Sequence, residues 1–72
     1  MHYRERLRAL REDCDFTQAE IGRVINKSQQ GYSHIEEGRA ELKIEDLIRL
    51  CLHYDVSADY LIGLTDIPHR LD

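Results

Sequence analysis

Residues 17–37 constrain the fold of this 72-residue chain more than any other stretch: Thr-Gln-Ala-Glu-Ile-Gly-Arg-Val-Ile-Asn-Lys-Ser-Gln-Gln-Gly-Tyr-Ser-His-Ile-Glu-Glu. Thr17 followed three residues later by Glu20 is a capping box, in which each side chain satisfies a backbone N–H left unpaired at a helix start. Ile21, Val24 and Ile25 then recur at helical spacing. Asn26 and Lys27 break the pattern, and asparagine tolerates the left-handed backbone that ends a helix. Ser28 offers a second N-cap, after which Tyr32 and Ile35 continue an apolar stripe. Two helices this short are marginal alone in water. They must bury their stripes against each other and against a third element. Gly22 sits on the first helix where a bulky side chain would hold the second away, and Asn26 sits where the chain must turn sharply.

The Thr17-Gln18-x-Glu20-Ile21-Gly22 opening, the Asn26 turn, Ser28 with Gln29 and Gln30, and Ile35-Glu36-x-Gly38 resemble the Cro and phage-repressor type (xenobiotic-response-element-like) of helix-turn-helix transcriptional regulator. The resemblance runs from about Leu7 to Leu64. It implies an all-α fold, a five-helix bundle of the lambda-repressor-like DNA-binding type with a central helix-turn-helix. The helices are expected at about 2–13, 17–25, 28–37, 44–54 and 58–64 of a domain spanning 1–68, with a frayed tail over 69–72. In that family the second helix of the motif lies in the DNA major groove and its N-terminal residues touch base edges.

The resemblance also assigns roles. Gln29 and Gln30 match the glutamine pair of some lambdoid phage repressors. A glutamine amide can donate to adenine N7 and accept from the adenine amino group, a pairing that gives about 1–3 kcal/mol of discrimination. With Tyr32 and Ile35 facing the core, Ser33 and His34 join Gln29 and Gln30 as base-contacting candidates; a lone surface histidine is the plainer reading of His34. Gly31 weakens the helix by about 1 kcal/mol relative to alanine, or else permits close approach to DNA. Backbone-contacting candidates are Gln18, Arg23, Lys27, Arg39 and Lys43. Phosphate contact and simple exposure are equal alternatives for Arg23, and Lys27 stands where the family has an apolar residue. Arg11 and Glu36 are the family's structural ion pair, closing the first helix onto the third.

Elsewhere the pattern is that of a small helical domain. Tyr3, Leu7, Leu10 and Cys14 follow 4-3-4 spacing and define the core stripe of the first helix, while Arg4, Arg6 and Arg8 read as a solvated basic face. Asp15 stands where the family often has glycine, and Phe16 precedes the Thr17 cap as a hydrophobic staple. Gly38 ends the third helix. Lys43 replaces the usual capping serine or threonine, weakening the start of the fourth helix by about 1 kcal/mol. Ile44, Leu47, Ile48 and Cys51, with Tyr54 at the end, are the expected buried stripe of the fourth helix. Leu50 and Leu52 widen its apolar surface, so one of them is expected at the surface or in an interface. Ser57 caps a short fifth helix carrying Leu61 and Ile62, and Tyr60, Leu64 and Ile67 are dimer candidates or simply close the monomer core.

Composition bounds the rest. A chain of this size buries about 60% of its unfolded surface. It has no apolar run long enough to cross a membrane, and its N-terminus lacks the apolar centre of a signal peptide. Both point to a cytoplasmic protein, with Cys14 and Cys51 as reduced thiols. The net charge of −4 sits uneasily with DNA binding, where a basic footprint is expected. However, Ile21 to Ile35 contains no acid and includes Arg23 and Lys27. No metal-ligand spacing, cofactor motif or catalytic constellation is present, which argues against an enzyme. The expected function is sequence-specific binding of double-stranded DNA by a transcriptional regulator, most simply a repressor, acting as a homodimer without a small-molecule ligand. The domain occupies most of the chain, so regulation is expected through concentration, proteolysis or a partner protein. The alternative is a protein-interaction module on the same fold, such as an antitoxin or anti-repressor partner.

Overall fold

Local chemistry sets nearly every boundary in the computed structural model, which describes residues 1–69. Five helices follow in order: α1 (Tyr3–Asp13), α2 (Gln18–Val24), α3 (Gln29–Glu37), α4 (Ile44–Tyr54) and α5 (Ala58–Leu61). The Thr17–Glu20 capping box forms in full, with Glu20 N–H to Thr17 Oγ1 at 3.1 Å and Thr17 N–H to Glu20 Oε1 at 3.0 Å. These bonds hold the Glu20 carboxyl below its ordinary pKa. Ser28 and Ser57 accept from the N–H groups of Gly31 and Tyr60, each at 3.0 Å. Lys43 occupies the corresponding place on α4 without a side-chain bond. Asp15, Asn26 and Asp55 adopt positive φ at the turns after α1, α2 and α4, and Gly38 does so after α3. The expected tail is described only at His69; residues 70–72 lie outside the described residues.

The core consists of Leu7, Leu10, Ile21, Ile25, Tyr32, Ile35, Leu50, Cys51, Val56 and Leu61. It lies where α2 and α3 pack together, with α1 laid on α3, and α4 joined to α2 and α5. Gly22 makes the α2–α3 approach possible. A Cβ at this position would meet the Lys27 carbonyl oxygen at 2.8 Å and that of Ser28 at 3.0 Å, both backbone atoms.

Four expectations are corrected. Cys14 is exposed, because it caps α1 rather than continuing its stripe. Arg4 and Arg6 are not solvated: Arg6 is buried and Arg4 is half-buried, since both reach backbone carbonyls on other elements. The inward face of α4 is Asp46, Leu47, Leu50, Cys51 and Tyr54, while Ile44, Ile48 and Leu52 are exposed. That helix is apolar on more than one side, and the rotation adopted brings Asp46 to Lys27, while Arg49 meets the same carboxylate from one turn along the helix. Finally, α5 stops at Leu61 rather than Leu64. Gly63 turns to positive φ, and Leu64 N–H reaches back to Asp59 O at 2.8 Å.

Candidate nucleic-acid interface

The third helix is gripped on its inner side and left open on its outer side. Tyr32 and Ile35 are fully buried. Glu36, at the flank, receives Arg11 as a two-pronged donor, Nε to Oε2 at 2.8 Å and Nη2 to Oε1 at 3.2 Å. Gln18 Nε2 donates to the same carboxylate at 3.3 Å, and the third Arg11 nitrogen, Nη1, holds the Phe16 carbonyl at 3.1 Å. Burial pushes the Glu36 carboxyl up, but the hydrogen bonds from Arg11 and Gln18 and the Arg11 charge help to outweigh it, and the pKa stays below the ordinary value. The same hydrogen bond raises the pKa of Arg11, so the pair stays ionised. Burial first, then the Glu36 carboxylate, push the Tyr32 phenol well above its usual range.

Arg4 secures the far end of α3. Its Nη1 donates to the carbonyls of Ile35 at 2.7 Å and Ala40 at 3.1 Å, and its guanidinium lies 4.6 Å from the centre of the Tyr3 ring. It thereby ties the last turn of α3 to the loop that follows, satisfying carbonyls a helix end leaves open. Sequence reasoning missed this role, although the spacing Arg4–Leu7–Arg11 places all three on one side of α1.

The outer face carries Gln29 and Gln30, both exposed, followed by half-buried Ser33 and His34 and exposed Glu37. Ser33 Oγ is 3.3 Å from Glu37 Oε1. Of the cationic candidates, Arg23 is exposed at the end of α2, Arg39 is exposed with Nε 3.7 Å from Glu37, and Lys43 is exposed at the start of α4. Lys27 is different: it is half-buried, with Nζ 3.8 Å from Asp46 Oδ2. A depression between α3 and the loop after it brings together Lys27, Ser28, Gly31, His34 and Lys43, with Glu41 on its rim. Gln18, Arg23 and Arg39 do not line it. A Cβ on Gly31 would meet only ordinary contacts, the nearest at 3.4 Å, so protein packing does not require the glycine. Among the described residues no cluster could hold a metal ion, and no helix is long and apolar enough to cross a membrane.

Residues 7–61 match the model of the helix-turn-helix family. The chain belongs to the helix-turn-helix family of Cro and phage-repressor type. The helix-turn-helix match takes in the Arg11–Glu36 pair, the whole of α3 and the loop to α4; Arg4 and Arg6 lie before it. Over 66 residues the chain is 35% identical to an uncharacterised HTH-type transcriptional regulator of Bacillus subtilis, YobD. That alignment covers 92% of this chain and 59% of the relative, so the chain spans about three-fifths of the length of the curated relative it matches. No solved structure matches.

Proposed function

We propose that this chain is a non-enzymatic, cytoplasmic transcriptional regulator that binds double-stranded DNA sequence-specifically, most simply as a repressor. The observation that carries the reading is the outer face of α3. Gln29 and Gln30 project from the capped first turn of a helix whose opposite side is buried and braced by Arg11 and Arg4. In this reading α3 enters the major groove, and Gln29, Gln30, Ser33 and His34 are the base-contacting residues. Gln18, Arg23, Arg39 and Lys43 are the backbone-contacting candidates, which fix orientation and carry no sequence information themselves; Lys27, expected among them, has its ammonium beside Asp46 instead.

The large exposed apolar side chains lie elsewhere, at Met1, at Ile44, Ile48 and Leu52 on α4, and at Leu64 and Ile67 after α5. Protein contacts and DNA contacts would then use separate surfaces. A homodimer formed on the apolar side would read two half-sites about one helical turn, roughly 34 Å, apart. This separation also weighs against an antitoxin or anti-repressor that binds its partner through α3, because that face lacks the apolar anchors of a protein hot spot.

Selection from a random duplex pool, with the winners followed across a salt series, tests the proposal. An enriched, two-fold symmetric site is expected, with Gln29→Ala and Gln30→Ala losing preference at particular base positions. Lack of enrichment, with weak binding even at low salt, would reject it in favour of the interaction module.

A further inference from the structure

Two of the backbone candidates meet an acid, Arg39 with exposed Glu37 and Lys27 with Asp46, and Lys27 stands apart because its acid is buried. Asp46, in the first turn of α4, is buried, with only 6% of its side chain exposed. Its neighbour Glu45, in the same turn, is exposed, so burial is particular to Asp46 and not a property of that turn. Arg49 Nη1 meets Oδ1 at 3.1 Å. The other oxygen, Oδ2, is buried with no hydrogen-bond partner among the described residues, and the cation nearest it is Lys27 Nζ at 3.8 Å. A desolvated carboxylate requires a positive charge close by, and here Lys27 and Arg49 share that task. The lysine stem runs beside Gly31: Lys27 Cβ and Cδ lie 3.5 and 3.9 Å from where a Gly31 Cβ would be. Lys27 thus lines the depression with Ser28, His34 and Lys43 while its ammonium lies beside Asp46.

We infer that Asp46 withholds Lys27 from the DNA backbone and thereby sets the affinity and salt dependence of binding. The inference rests on the DNA-binding reading above and deepens it. A phosphate entering the depression has to compete with Asp46 for Lys27. Arg49 would remain on the carboxylate if Lys27 left, so the contact can open without leaving Asp46 with no counter-charge. Removing the carboxylate should free the lysine for phosphate.

Each phosphate neutralised on duplex DNA adds about 0.9 to the magnitude of the slope of log affinity against log salt. The test measures that slope on the selected duplex for the wild-type chain, Lys27→Gln, Asp46→Asn, the double variant, and Glu45→Gln. Lys27→Gln should keep the wild-type slope. Asp46→Asn should steepen it by about 0.9, so that its advantage over wild type falls about 3.5-fold between 50 and 200 mM salt. The double variant should return to the wild-type slope. Glu45→Gln makes the same charge change without touching the pair, and should leave the slope alone. A slope shallower by about 0.9 in Lys27→Gln, with no steepening in Asp46→Asn, would overturn the inference and make Lys27 a direct phosphate contact. Should Asp46→Asn lose its helical circular dichroism, Lys27→Gln decides alone: an unchanged slope supports the latch and a shallower one overturns it. Absence of duplex binding by the wild-type chain would instead defeat the DNA-binding reading, and the inference with it.

Discussion

Helix α1 sends Arg11 and Arg6 to different parts of the fold, and the two guanidinium groups are satisfied by different chemistry. Arg11 meets a carboxylate as buried as itself: the side chains of Arg11 and Glu36 are 13% and 4% exposed. Arg6 is 5% exposed, but its carboxylate partner, Asp66, is 97% exposed. The inner contacts of Arg6 are with dipoles and a ring. Its Nη1 holds the carbonyls of Tyr60 at 3.1 Å and Thr65 at 3.4 Å, and its guanidinium lies 3.9 Å from the Tyr60 ring centre. One clamp is a buried ion pair that needs both charges. The other is a buried cation held by neutral groups, with an ion pair at its exposed end. The first fixes α3; the second fixes α5 and the segment after it. Near-equal distances, 2.8 Å for the Arg11 bridge and 2.9 Å for the Arg6 bridge, conceal unequal dependence on the acid.

The largest effect should come from removing the buried acid. Glu36→Ala leaves Arg11 mostly buried opposite no charge and unhooks Gln18 as well, which should destabilise the chain by about 3–5 kcal/mol. Chemical denaturation checks this, and a loss under about 1 kcal/mol would mean that the Arg11 clamp behaves as a surface pair. The same carboxylate gives the comparison a pH signature. The folded pKa of Glu36 lies below the ordinary 4.5, so its contribution is fully present above that value. It is lost as pH falls through the folded pKa. The acid limb of stability should therefore flatten in Glu36→Gln.

The contrast between elements explains what was legible beforehand. Around α2 and α3 each boundary is set by a side chain acting on its own backbone: Thr17 with Glu20, Asn26 at positive φ, Ser28, and Gly38. Such chemistry is local and can be read without knowing the fold. With Tyr32 and Ile35 inward, the outward position of Gln29 and Gln30 follows from helix periodicity alone. The rotation of α4 was not legible. Ile44, Leu47, Ile48, Leu50, Cys51 and Leu52 offer apolar stripes on several sides. The choice among them depends on where Lys27, on another element, falls in space. Arg4 and Arg6 were hidden for a related reason. Their partners are backbone carbonyls 31 to 59 residues away, and a carbonyl leaves no mark in the sequence.

A smaller effect is expected at the second clamp when charge is kept and shape is lost. Arg6→Lys retains the cation, but a single ammonium cannot reproduce the planar fork that meets Tyr60, Thr65 and Asp66 together, nor its stacking on the Tyr60 ring. Leaving one or two buried carbonyls unsatisfied should destabilise the chain by roughly 1–3 kcal/mol. The damage should be concentrated at the C-terminal segment. Hydrogen exchange would show it as lost protection at Leu61 and Ile62, whose N–H groups bond to Ser57 and Ala58, with α3 protected to within the change in global stability. Uniform loss across both regions would mean that the two clamps report on a single cooperative unit.

The smallest effect should come from the acid of the second clamp. Asp66 Oδ1 accepts from Arg6 Nη2 at 2.9 Å, between the 2.8 and 3.2 Å of the two bonds in the Glu36 pair. Its carboxylate, however, stays in water, where screening and lost side-chain freedom leave an ion pair little net stabilisation. Asp66→Asn keeps an acceptor oxygen for Nη2 and removes only the charge. The Tyr60 and Thr65 carbonyls and the Tyr60 ring continue to face the guanidinium. The denaturation midpoint of Asp66→Asn should therefore coincide with that of the unaltered chain, at low salt as well as high. A clear drop at low salt that closes as salt is added would show that Arg6 depends on a charge after all, and the two clamps would then differ in degree and not in kind.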